Sequence, residues 1–149
     1  MKRVKRDLLK RVACASIIAA ALSAMAHPVA GVDAMKAPTG GQVRDAGPLH
    51  LELVVVKNSK QAADHPVFVY VTDQASQKVS TVGAVASVTL MSGTHKVSAT
   101  LQPDGDNRLK GIARYASTPD LKAIVSVTLA GKPPEQTRFT PLAPAARTH

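Results

Sequence analysis

The hydrophobic positions of this chain alternate with polar ones in short runs that turn-forming residues separate. Leucine or valine occupies every second position from Leu49 to Val55. His50 and Glu52 fall between them, on the opposite face of the same segment. A period of two residues is typical of a β-strand, whose side chains alternate between two faces. The pattern therefore predicts a strand here.

Further runs of this kind follow along the chain. The predicted strands are residues 49–56, 67–72, 84–91, 95–101, 109–115, 123–129 and 136–140. The short loop around Gly93 predicts a hairpin, and the dense turn signal at 103–107 predicts another reversal. Strands at this close spacing are typical of a sandwich or a barrel. We predict an all-β fold, a small antiparallel β-sandwich of immunoglobulin-like appearance with about seven strands.

The first 26 residues have the composition of an export signal. A basic segment precedes an apolar run, Val12 to Ala24, and small residues flank a cleavage position after Ala26. A membrane-spanning helix needs about 20 apolar residues, which is more than this run provides. The pattern predicts a signal peptide at 1–26 and a mature protein located in the periplasm.

Cys14 is the single cysteine of the chain. A lipobox needs an apolar residue three places earlier, where this chain has Arg11, so we expect no lipid anchor. Without Cys14 the mature chain has no thiol for a disulfide or a cysteine-based zinc site. Six of the 19 basic residues also lie in the leader, and the remaining charges are scattered. This distribution argues against nucleic-acid binding.

The mature chain divides by composition into three parts. Residues 27–41 are rich in Ala, Gly and Pro and predict an extended lead-in. The β domain is predicted at 42–140 and a flexible tail at 141–149. No nucleophile elbow, P-loop, dinucleotide fingerprint or zinc-protease motif occurs. We therefore expect a protein that is not an enzyme.

Histidines beside carboxylates are the candidate metal ligands. His50 and Glu52 leave one strand face roughly 7 Å apart, which suits a shared divalent ion or an ordinary hydrogen-bonded pair. His65 precedes the next strand, and a simple hairpin places it at the end far from His50. Solvated polar residues on an outward face would explain each of them equally well.

Three weaker metal candidates remain. Residues 104–107, Asp-Gly-Asp-Asn, suit either calcium or a plain turn. Met91 and His95 flank a short loop and suit copper, although Met91 also suits a core position. His27 would offer a free amine and an imidazole to copper after cleavage.

Six short segments together resemble a small periplasmic β domain of known kind. They are residues 37–43, 50–54, 69–73, 84–90, 101–107 and 122–127. The similar domain occurs alone or at the N-terminus of the periplasmic adaptor subunits of heavy-metal efflux pumps of the resistance-nodulation-division type. Its glycine pair matches Gly40 and Gly41, its His-x-Glu matches His50 and Glu52, and its Tyr-x-x-Asp begins at Tyr70.

The resemblance implies a soluble, non-enzymatic accessory protein of heavy-metal homeostasis or efflux, acting with a component of the efflux system. It points to His50 and Glu52 as ligands of a divalent transition metal, for which we expect copper or zinc. A third ligand from His65 or His27 would be needed, since two protein ligands seldom hold such an ion tightly. The family often has a histidine where this chain has Thr39, so binding should be weak. The rival hypotheses are a metal-free domain that docks to a protein through a strand edge and, third, an enzyme.

Overall fold

A computed structural model describes residues 37–144 of the chain. The predicted signal peptide with Cys14, the lead-in up to residue 36 with His27, and residues 145–149 of the predicted tail lie outside the described residues. The strands are β1 (Gln42–Ala46), β2 (Leu49–Val55), β3 (Ala63–Asp73), β4 (Val85–Ser92), β5 (His95–Pro103), β6 (Arg108–Tyr115), β7 (Lys122–Thr128) and β8 (Glu135–Phe139). Residues 37–144 contain no helix, hence none long and apolar enough to cross a membrane.

All eight strands belong to one antiparallel sheet in the order β1-β2-β3-β6-β5-β4-β7-β8. The two outermost strands, β1 and β8, lie against each other through side chains. The backbone N–H of Thr140 donates to the side-chain oxygen of Gln42 at 2.8 Å, and the carboxylate of Glu135 packs against Gly47. These contacts curl the sheet into a nearly closed barrel.

The prediction of an all-β antiparallel domain is confirmed, whereas the immunoglobulin-like sandwich of about seven strands is not. β5 connects the two halves of the sheet, because its residues 95–101 pair with β4 and its last two pair with β6. The additional strand is β1, with the sequence QVRDA. Only Val43 and Ala46 of β1 are buried, so its sequence shows no alternation that would predict a strand.

The interior of the barrel holds one apolar core, to which alternate residues of the strands contribute. In β7, for example, Ala123, Val125 and Val127 are buried while the positions between them face outwards. β5 is the exception, since Val97 and Ala99 lie opposite buried β4 residues yet are only half-buried. Within residues 37–144 this part of β5 has no partner strand on its other edge, so part of the barrel wall is open there.

Asp120 holds the turn between β4 and β5. Its carboxylate accepts hydrogen bonds from the backbone N–H of Gly93 at 3.0 Å and from the Ser92 hydroxyl. Gly93 has a φ of +56°, a left-handed conformation that glycine adopts without strain. The loop before β7 is thereby tied to the β4–β5 hairpin.

We expect the Asp120 carboxyl to titrate below its ordinary pKa of 3.8. Hydrogen bonds from the Thr118 side chain, the Gly93 N–H and Ser92 favour the carboxylate and lower its pKa. Because the folded-state pKa is lowered, the stabilisation of the turn is present above the ordinary pKa and is lost as pH falls through the lowered one. Carbon-detected NMR titration measures this pKa directly. A value at or above 3.8 would contradict the assignment.

Candidate functional site

His50 lies on the outer face of β2, next to oxygen atoms from two other segments. It is directly opposite Asp45 of β1, and Gln74 follows the end of β3 close by. His50 Nε2 is 3.1 Å from Asp45 Oδ1 and 3.2 Å from Gln74 Oε1. The His50 side chain is 14% exposed and that of Asp45 is 53% exposed. The site is therefore shielded on the imidazole side and open to water on the carboxylate side.

This arrangement points one ring nitrogen at two hydrogen-bond acceptors. In the tautomer that carries the ring proton on Nε2, this N–H faces the Asp45 and Gln74 oxygens together. In the other tautomer the lone pair of Nε2 and the two oxygens are three donor atoms that a metal ion could share. Zinc binds nitrogen and oxygen ligands at about 2.0–2.2 Å in tetrahedral geometry, which separates two ligands by roughly 3.4 Å. The observed separations of 3.1 and 3.2 Å are ordinary hydrogen-bond lengths and lie a few tenths of an ångström below that spacing, so a bound ion would need only a small outward shift of the side chains.

Glu52 lies on the same outer face as His50, but its carboxylate already serves the backbone. Its Oε1 accepts hydrogen bonds from the N–H groups of Thr39 at 2.9 Å and Gly41 at 3.0 Å. The loop so held covers the side chain, which leaves Glu52 only 5% exposed. His50 and Glu52 both line a cavity of about 310 Å³, which Pro38 and Tyr70 also line. The structure thus brings His50 and Glu52 to one cavity. Within it, the Glu52 carboxylate holds the backbone of residues 39–41.

His65 lies at the other end of the barrel. Its Nε2 is 2.7 Å from the Ser59 hydroxyl, and its ring meets the ring of Tyr115 edge-on at 5.2 Å. His50 pairs with Thr72, which is seven residues further along β3, so the two histidines are about 23 Å apart along the strand. The structure therefore does not bring His65 to His50.

The weaker candidates have identifiable contacts in the fold. The Asn107 amide donates to the Val71 carbonyl at 3.0 Å, and Arg108 pairs with Asp104 at 2.7 Å, so both polar groups fix the turn before β6. Met91 and His95 line one cavity at the end of the β4–β5 hairpin. Within residues 37–144, no three His, Cys, Asp or Glu side chains lie close enough together to hold a metal ion.

Sequence reasoning missed Asp45 and Gln74, the two residues that contact His50. Asp45 reaches His50 only through the register between β1 and β2, and the sequence did not predict β1. The Gly47-Pro48 turn after Asp45 is a hairpin signal that could have identified it. Gln74 lies in a polar turn that carries no pattern of its own.

Comparison of the chain with protein-family models, with curated proteins and with solved structures gives no match. The resemblance to the adaptor domain of heavy-metal efflux pumps therefore stays a prediction.

Proposed function

We propose that this chain is an exported, non-enzymatic binding protein of the periplasm that holds a divalent transition metal, zinc or copper, at His50. The observation that carries the proposal is the contact of one imidazole nitrogen with two oxygen atoms, at 3.1 and 3.2 Å. Imidazole is a ligand that both metals favour. The proposed role is in heavy-metal homeostasis or efflux, and the proposed partner is a component of an efflux system, on the resemblance alone.

The proposed ligands are His50 Nε2, Asp45 Oδ1 and Gln74 Oε1, with water at the remaining positions. This ligand set differs from the one expected from the sequence, which included Glu52 and His65. Glu52 Oε1 is hydrogen-bonded to the backbone N–H groups of Thr39 and Gly41, and His65 lies at the opposite end of the barrel. An amide oxygen is a poor ligand for zinc or copper. We therefore expect a dissociation constant on the order of micromolar, equivalent to about 8 kcal/mol.

Replacing His50 by alanine is expected to weaken zinc binding by at least about tenfold, a change of about 1.4 kcal/mol. The substitution removes the one nitrogen ligand and leaves Asp45 and Gln74 in place. Isothermal titration with Zn²⁺ at neutral pH measures the effect, and far-UV circular dichroism checks that the β fold persists. Affinity should also fall on acidification, because the metal competes with a proton for the imidazole.

The matched control is His65→Ala, which removes a second partly buried histidine about 23 Å away and should leave zinc affinity unchanged. Glu52→Gln keeps an oxygen acceptor for the Thr39 and Gly41 N–H groups and should also bind zinc like the parent protein. If His50→Ala binds zinc as the parent does, the site is wrong. If His65→Ala loses as much affinity as His50→Ala, a ligand set that includes His65 is correct instead.

A metal-free docking domain is the second candidate function, and an unpaired strand edge favours it. Residues 95–101 of β5 pair with β4 along one edge. Along the other edge the described strands pair with β5 only at Gln102 and Pro103, which bind β6. An extended segment of a partner could add to such an edge through backbone hydrogen bonds. A parent protein that binds neither zinc nor copper would favour this function.

A further inference from the structure

β5 and β6 diverge at one end of the barrel and leave a cavity between them. The two strands pair at Gln102–Lys110 and Pro103–Leu109, and Gly111 passes close to the Thr100 carbonyl. Beyond this crossing no pairing between β5 and β6 occurs in the described chain. The cavity at the open end has a volume of about 360 Å³. That volume falls in the range of about 300–1,000 Å³ that is typical of small-molecule sites.

The floor of this cavity is apolar. Leu90, Tyr115 and Leu121 contribute to it and are buried in the barrel core, and the half-buried Val97 and Met91 form a wall. The Tyr115 hydroxyl is already engaged, since it donates to the Pro66 carbonyl and accepts from the Val56 N–H. Tyr115 therefore offers the cavity its ring, and a ligand body there would be apolar.

The rim of the cavity is cationic. His95, Lys96 and Arg114 line it, and none of its lining residues in the described part carries a carboxylate. Arg114 is 4.0 Å from Asp64, with both side chains largely exposed, so that ion pair is weak. Lys96 forms no ion pair within residues 37–144. The nearby Asp120 carboxylate accepts hydrogen bonds from the turn at Ser92 and Gly93.

We propose that this cavity binds a small organic anion with an apolar body, such as an alkyl or aryl carboxylate. The body would lie against Leu90, Val97 and Leu121, and the carboxylate would face Lys96 and Arg114. Apolar walls with a few convergent charged groups are the usual composition of a small-molecule site. The site is separate from the proposed metal site, so either proposal can fail without the other.

Binding of octanoate and of its neutral analogue octanamide to the full-length protein tests the proposal. NMR should show octanoate shifting the methyl signals of Val97 and Met91, and octanoate should bind about tenfold more tightly than octanamide. In the double variant Lys96→Gln/Arg114→Gln this preference should disappear, while octanamide binding stays as in the parent. The double variant Lys110→Gln/Lys132→Gln carries the same charge change away from the cavity and should keep the preference.

Two results would overturn the proposal. If octanoate is not bound specifically, the Val97 and Met91 methyl signals stay in place and the open β5 edge is a docking site for an extended peptide. Alternatively, the preference for octanoate persists in Lys96→Gln/Arg114→Gln, in which case the rim cations do not recognise the anion. The variant Val97→Phe gives an independent check, because it fills the cavity and should abolish octanoate binding.

Discussion

Replacing Tyr115 by phenylalanine is expected to lower the free energy of unfolding by about 1–3 kcal/mol, the cost of leaving partly buried polar groups unpaired. The Tyr115 hydroxyl accepts a hydrogen bond from the Val56 N–H at 3.0 Å and donates one to the Pro66 carbonyl at 2.8 Å. It thereby joins the ends of β2 and β3 to the end of β6. Phenylalanine would keep the ring in the core and lose both hydrogen bonds.

Chemical denaturation of Tyr115→Phe and Tyr70→Phe measures this difference. The chain has only two tyrosines, and Tyr70 lies half-buried on the outer face of β3, so its substitution should change stability by less than about 0.5 kcal/mol. Burial raises the pKa of Tyr115 above its ordinary 10. Its stabilisation is therefore complete below pH 10 and is lost as pH rises through the raised pKa. Equal losses in the two variants would contradict the assignment.

Replacing Gly111 by alanine is the second substitution with a large expected effect, again about 1–3 kcal/mol of destabilisation. A Cβ atom at this position would lie 2.6 Å from the Thr100 carbonyl oxygen and 2.7 Å from Leu101 Cδ2. A backbone oxygen cannot move aside unless β5 separates from β6. The added methyl group would therefore strain the two-residue pairing between β5 and β6, which joins the two halves of the sheet.

Thermal or denaturant unfolding of Gly111→Ala checks this effect, with Ile112→Ala as the control. Ile112 is the next residue of β6 and is 64% exposed, so truncating it should change stability by no more than about 0.5 kcal/mol. Gly111→Ala should also increase the hydrogen exchange of β5 amides next to the crossing. Unchanged stability would show that β5 and β6 have room to separate at no cost.

The sequence predicted the strands whose hydrophobic residues alternate with polar ones, and it missed β1, in which they do not. Leucine and valine alternate through β2, whereas β1 has a buried residue at only two of its five positions. The contact that closes the barrel joins Gln42 to Thr140, 98 residues apart, and no local pattern encodes it. The class of fold was therefore predictable, while the barrel-like closure was not.

In the candidate site, too, local patterns predicted the strand positions of the residues but not their long-range contacts. Strand alternation correctly placed His50 and Glu52 on one face of β2. Hairpin geometry correctly predicted that His65 lies at the end of the strand pair far from His50. The immediate contacts of His50 with Asp45 and Gln74 depend on strand register and on a turn, which periodicity does not report. The role of Glu52 in binding the Thr39 and Gly41 N–H groups depends on the path of a loop that has no sequence period.

The hydrogen bond between Gln42 and Thr140 also brings the first strand of the barrel next to the last. The two ends of the domain lie within one side chain's length, so a linker of a few residues would join them without disturbing a strand. The N-terminal end of β1 and the C-terminal end of β8 are therefore neighbours in the barrel. New termini cut at an exposed turn, such as the one at Gly131, would yield a circular permutant with the same eight-strand order.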